Sequence, residues 1–357
     1  MKTDRRHFLG GLLATGLIPK PTWADAGAPS YLTAAAKPDR SFVLCGVSDS
    51  FEILFEVGLP SRGHAAAAHP ARPEAVAFAR RPGTYAVVIN CVTGEQTAQL
   101  NAPEGRHFYG HGTFSQDGNW LFTTENDYEV GRGRIGVWDV TNGYVRSGEF
   151  SSGGIGPHDI KRLPGTDTLV VANGGIDTHP ESGRAKLNIP TMEPNLAYIT
   201  AGHVDDVMIL PSEMHKNSIR HLALSNDGAV AFGMQWQGDE AVASLVGLHR
   251  MGVQAILFEA PPEQVGIMNG YIGSIAFEQN AKTIAVTSPR GGLVQIYDAE
   301  RHTLLDSFAI TDVCGVAPHA RGYAVTSGTG DIGNLTGNQQ NLRKNSAYMW
   351  DNHLIVV

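Results

Sequence analysis

The chain is short of charge, of cysteine and of long apolar runs, and each shortage removes a class of explanations. Asp, Glu, Lys and Arg make up only 17% of residues against 42% hydrophobic, which excludes a disordered, solvated chain. The three cysteines, Cys45, Cys91 and Cys314, exclude a fully paired disulfide framework, because an odd count leaves at least one thiol over. With 27 basic residues against 35 acidic, the formal net charge is −8. An acidic chain is a poor partner for a phosphate backbone, so no nucleic-acid role is expected. No stretch reaches the roughly 18 consecutive apolar residues that span a membrane. The sequence also lacks G-x-S-x-G, H-E-x-x-H and C-x-x-C-H, so it offers no nucleophile elbow, no zincin helix and no covalent haem site.

What is present begins at the N-terminus. Asp4-Arg5-Arg6-His7-Phe8-Leu9 precedes a mildly apolar run from Gly10 to Ile18, then Pro19, Pro21 and Ala24-Asp25-Ala26. A charged start, a short apolar segment and an A-x-A site describe a cleavable signal rather than a membrane helix. The arginine pair followed by Phe-Leu matches the twin-arginine pattern, although Asp4 and Gly10 depart from its commonest form. Residues 1–26 are therefore expected to be a signal peptide and the mature protein to be periplasmic. That route carries folded proteins, often with a cofactor already bound. Cleavage would remove four bases and two acids, taking the net charge from −8 to −10.

The remainder is rich in glycine, with 42 residues dispersed between short apolar runs, which favours many strands and tight turns. Residues 111–150 read as four strands, HGTFSQDG, NWLFTTEN, RIGVWDV and GYVRSGEF. Four strands in about 40–45 residues is the period of a propeller blade. The pattern recurs over 158–211, 221–258 and 274–308, and more loosely over 64–101 and 314–350. YLTAAA, SFVLCGVSD and FEILFEV near the N-terminus lack a first strand, and His353–Val357 reads as a first strand without the other three. The expectation is an all-β, seven-bladed β-propeller over residues 27–357, with six or eight blades as alternatives. Its ring is closed by the C-terminal strand joining the N-terminal blade, which removes the exposed sheet edge. One insertion, 174–194, separates the second and third strands of a blade, a placement typical of functional loops.

Aligned on their first strands, the blades open with His64, His111, His158, His221, Ser274, Cys314 and His353. Gly118, Gly165 and Gly228 each follow their histidine by seven residues, which fixes three of these registers. First strands line the central channel of a propeller, so equivalent positions lie at similar depth. Imidazole and thiolate are ligands for copper, zinc and iron. His64, His111, His158, His221, His353 and Cys314 are thus candidate metal ligands, the alternative being channel histidines that bind only water and backbone carbonyls. Their affinity for metal is expected to fall below about pH 6, because the ligand is the neutral imidazole. The loops after the second strands should open on the same face, where Glu125, Asp127, Asn173 and Gln235 are candidates for a cofactor-binding wall.

The strings FYGHGTFSQDG, LFTTENDYEVGRGRIGVWD, SGGIGPHDIKRLPG, LVVANGGIDTHPESGRAKLNIPTM, HKNSIRHLAL and WDNHL resemble a family of twin-arginine-exported bacterial proteins known only as a domain of unknown function. The resemblance covers nearly the whole mature chain. That family is similar in fold to YVTN-repeat propellers and to the β-chain of quinoprotein amine dehydrogenases, which implies seven blades. Its genes tend to lie near those of imelysin-type and di-haem proteins linked to iron uptake, which implies periplasmic handling of iron, or copper, with those proteins as partners. The copper cluster of nitrous oxide reductase, held by a histidine-lined propeller channel, is an analogy without the cupredoxin domain. A metal-dependent periplasmic enzyme, oxidoreductase-like, and a cofactor-free interaction scaffold are the competing functions.

Overall fold

The computed structural model describes residues 20–80, 83–183 and 185–357. Within them the chain forms seven antiparallel sheets arranged around one axis, so the seven-bladed propeller stands. Blade 1 contains Tyr31–Ala36, Phe42–Val47 and Ile53–Leu59. Blades 2 to 7 start at inner strands Gly63–Ala68, Arg106–Phe114, Pro157–Arg162, Asn217–Leu224, Ser274–Phe277 and Val313–His319. Each continues outward through three further strands in sequence order.

Turn chemistry sets the hairpins. Ser115-Gln116-Asp117-Gly118 and Ser225-Asn226-Asp227-Gly228 repeat one device: the serine hydroxyl donates to the aspartate, and the glycine takes φ +72° or +83°. That backbone conformation favours glycine. Between the turns the inner strands carry small side chains, as in His64-Ala-Ala-Ala-Ala68, which lets seven strands converge.

The core is divided among seven clusters, one in each seam between neighbouring blades. Phe78 of blade 2 meets Phe108, Leu121 and Trp138 of blade 3 in one such seam. Each fully buried aromatic or leucine there contributes about 1.5–3 kcal/mol. Since no blade buries its faces alone, stability depends on the closed ring.

Closure follows the expected route with one change. Blade 1 receives its inner edge from the C-terminus, but in two pieces: Met349–Trp350 pairs with Ala35 and Ala36, and Ile355–Val356 pairs with Tyr31 and Leu32. His353 was expected inside a continuous strand and instead sits in the break between these pieces. Trp350, 1% exposed, anchors the junction.

The export signal falls mainly on residues 1–19, including Arg5 and Arg6, outside the described residues. The end of the 1–26 segment is described: Trp23–Ala26 forms a 3-10 turn, and the Trp23 indole donates to the His69 carbonyl at 2.9 Å. A short helix, Pro262–Ile267, lies between blades 5 and 6 and packs Val265 into their seam.

Candidate metal centre

Four inner strands leave regular pairing at their histidine. In blades 2, 3 and 4 the register shift spans His64, His111 and His158; in blade 5 it falls on Arg220, just before His221. A bulge bends its strand and re-aims the side chains beside it. Gly110 serves this geometry directly. Its φ is +96°, and a Cβ there would lie 2.7 Å from Cδ2 of the His64 ring.

The result is a single knot of five imidazoles. His64 lies 4.9 Å from His111, 5.7 Å from His158 and 4.7 Å from His353, between ring centres. His221 lies 4.9 Å from His158 and 5.1 Å from His353. Two triads each bring one nitrogen per residue within 4.8 Å of the others: His64, His111 and His158, and His111, His221 and His353. The two triads share His111.

Hydrogen bonds show which imidazole nitrogens would be free to hold an ion. His158 Nδ1–H donates to the Arg220 carbonyl at 2.9 Å, which leaves Nε2 with its lone pair. His111 Nδ1 faces Asp159 Oδ1 at 3.2 Å, a carboxylate–imidazole pair of the kind that orients metal ligands. His111 Nε2 then faces His64 Nε2 at 3.2 Å. Two imidazole nitrogens bound to one ion at ~2.0–2.1 Å lie roughly 2.9–3.4 Å apart, so this spacing suits shared coordination. Four buried imidazole nitrogens find no hydrogen-bond partner among the described residues: His64 Nδ1, both nitrogens of His221, and His353 Nε2. Leaving each so costs about 1–3 kcal/mol. A donor set of imidazoles suits copper, zinc, iron or nickel.

The electrostatics hold the cluster neutral. Burial, then the neighbouring imidazoles, drives His221 down to about 3 and His353 well below the ordinary range. At His64 and His158 burial acts first, with the Arg80 and Arg220 guanidinium groups pushing the same way. His64, His158, His221 and His353 therefore stay neutral at lower pH than a free imidazole, so the expected weakening of metal binding by acid shifts downward. For Asp159 burial opposes ionisation, but Lys161 and His111 outweigh it and hold the carboxyl below its usual range. Asp159 also accepts N–H bonds from Ile160 and Leu222, at 2.8 and 3.0 Å, tying blades 4 and 5 to the His111 ring.

Not every expected ligand joins. Cys314 is buried, but its thiol donates to the Asp312 carbonyl at 3.1 Å and stays outside both triads. The register shift between Val313 and Val316 takes Cys314 and Gly315 out of the ladder, and burial pushes the thiol up to about 12. A protonated thiol is a poor metal ligand.

The loops do open over the histidines, yet three of the four wall candidates turn elsewhere. Glu125 pairs with Arg146 through both oxygens, at 2.8 and 2.9 Å. Asp127 binds Arg106 at 2.6 Å and Arg134 at 3.3 Å. Asn173 is held by Ser152 and Asn195. The two carboxylates are paired within blade 3, and Asn173 ties blade 4 to the linker that enters it from blade 3. Gln235 alone reaches the cavity of about 360 Å³ above the cluster, where it lines the wall over His64, His158 and His221. Asp159 was missed in the sequence; its signal was the carboxylate directly following a first-strand histidine.

These features define a class: a seven-bladed β-propeller whose channel carries an imidazole cluster. The chain belongs to the family described as "Protein of unknown function (DUF1513)", whose pattern matches residues 57–357. Among solved structures, it is similar to the Kuenenia stuttgartiensis Hydrazine Synthase, with a TM-score of 0.61 and 14% identity, covering 93% of this chain and 99% of that one. At that identity the likeness concerns the fold. No curated protein matches the chain.

Proposed function

We propose that this protein is a periplasmic metal-binding propeller that handles iron or copper. The observation that carries the proposal is the convergence of five imidazoles with four partnerless nitrogens in a buried channel. Neutral, pre-oriented imidazoles backed by Asp159 and the Arg220 carbonyl form a site that needs little rearrangement to take an ion. With a metal bound, the ion would supply Lewis-acid or one-electron chemistry, while the chain's own groups fix the imidazole tautomers.

The periplasmic address is supported by the Arg5-Arg6-His-Phe-Leu start and the Ala24-Asp25-Ala26 site. Folded export would let the ring be loaded before it leaves the cytoplasm. Periplasmic iron-uptake and di-haem proteins are the partners this reading favours. Elemental analysis of protein isolated from the periplasm is the decisive experiment. About one equivalent of iron or copper is expected. Metal-free protein that also takes up neither ion on titration would end the proposal. Replacing Arg5 and Arg6 by lysine should retain the protein in the cytoplasm; normal export would remove the twin-arginine part.

The cavity favours a second reading. It opens on His64, His158 and His221, so a small molecule can reach the ion, as an oxidoreductase-like enzyme requires. A metal spectrum perturbed by a turned-over small molecule would distinguish catalysis from storage or delivery.

A further inference from the structure

The wall of the cavity above the histidines has a composition at odds with the rest of the chain. The protein as a whole carries a net charge of −8, yet Arg80, Lys186, Arg220 and Arg290 all line this one space, and no Asp or Glu does. Four cations around a confined volume repel one another and raise the local concentration of anions.

The cations enter from separate elements. Arg80 follows the second strand of blade 2, Lys186 comes from the 174–194 insertion, Arg220 sits on the inner strand of blade 5, and Arg290 follows the second strand of blade 6. Arg290 lies over the Tyr271 ring at 4.5 Å and makes no ion pair among the described residues. Lys186 donates to the side-chain carbonyl of Gln237. Arg80 shares the Asp351 carboxylate, 3.8 Å away, with Arg62, which holds it at 2.6 Å.

Charge is thus spread around the wall rather than gathered at one point. A volume of about 360 Å³ lies at the small end of small-molecule sites, ~300–1,000 Å³. It is several times what a compact tetrahedral oxyanion fills. Guanidinium forks match carboxylates through paired hydrogen bonds, and Trp236 and Tyr271 supply flat apolar surface between them.

We infer that this cavity is a binding site for a small di- or tricarboxylate, held by Arg80, Arg220, Arg290 and Lys186 above the histidine cluster. The anion site stands on the cavity wall alone. With an ion held by the histidines as proposed above, a carboxylate of the bound anion would add an oxygen ligand to the imidazoles.

The test is calorimetric titration of the metal-free full chain with citrate as the probe, with inorganic phosphate, sulfate and the neutral trimethyl ester of citrate in parallel. Citrate should bind with an affinity that falls as salt is raised, and the ester should not bind. Arg290→Gln and Lys186→Gln should each weaken citrate by roughly tenfold, as loss of a charge-assisted hydrogen bond implies, while the circular dichroism spectrum and metal uptake stay as in the parent. Absence of citrate binding in protein that loads metal normally would overturn the inference and leave the metal proposal standing. Citrate binding without any metal uptake would do the reverse. Phosphate or sulfate binding as tightly as citrate would overturn the polycarboxylate assignment, as would citrate binding unchanged in both variants.

Discussion

The inner strands of blades 2 to 5 and those of blades 6 and 7 occupy equivalent places around one axis, but they satisfy their polar groups differently. In blade 6 the ladder is regular from Ser274 opposite Thr287 to Phe277 opposite Ile284. Blade 7 is bulged, yet hydroxyl groups answer its backbone: Thr287 donates to the Cys314 carbonyl at 2.7 Å, and Thr326 accepts from the Gly315 N–H at 3.1 Å. In blades 2 and 5 the bulged segments present imidazole nitrogens that find no hydrogen-bond partner among the described residues. The bulge is therefore a shared device of the fold, and the residue placed on it decides whether that arc is structural or chemically equipped.

The sharpest way to break the contrast is to remove the histidine common to both triads. His111→Ala should reduce bound metal to background by elemental analysis, whereas Cys314→Ser, on the other arc, should leave it unchanged. Equal losses would mean that the thiol takes part after all. Gly110→Ala comes next. A side chain there meets the His64 ring, and the left-handed backbone adds a strain of about 1–3 kcal/mol. Both metal content and melting temperature should fall, and unchanged values would show that the close approach is not required.

Asp159→Asn keeps the shape but weakens the hold on His111 Nδ1, so metal affinity should drop by about 10–100-fold in competition with a chelator. Acid probes the same arc more gently. Unfolded imidazoles titrate near ~6.5, while burial holds His221 down to about 3 and keeps His64, His158 and His353 well below their ordinary range. Between those limits the unfolded chain binds more protons, so metal-free stability is complete above pH ~6.5 and declines below it. The decline is up to ~1.4 kcal/mol per histidine per pH unit. Melting curves of metal-free protein at pH 7.5 and 5 should show this, and a flat profile would contradict neutral burial.

The smallest effect on metal is expected away from the channel. Glu125→Gln removes one of the two carboxylates on Arg146, which keeps Glu149 at 2.8 Å, and should cost about 1–3 kcal/mol of stability. Metal content should be preserved.

Much of the fold was legible because blade periodicity is local. Alternating apolar runs, Asp-Gly turns and the incomplete first and last units each record neighbouring residues along the chain. The site was legible in part for the same reason, since equivalent registers placed five histidines at one depth. The sequence did not distinguish Glu125, Asp127 and Asn173, whose partners lie away from the channel cavity, from Gln235, which faces it. All four lie in the last residues of a second strand, just before a turn, and only the partners opposite them differ. Asp159 went unnoticed because its role depends on His111, a residue of another blade.

By itself, then, the sequence determined the repeat, the number of blades, the route of closure and the shared depth of the channel histidines, because those properties follow from local hydrophobic pattern and turn chemistry; the inner strands themselves open earlier, at Arg106 rather than His111 and at Asn217 rather than His221. Only the tertiary structure decided that five rings meet while Cys314 stays apart, that Asp159 backs His111, and that four cations gather over the cluster in an acidic protein. Those facts depend on bulges, on a broken closing strand and on side chains from different blades, which come together only when the ring closes.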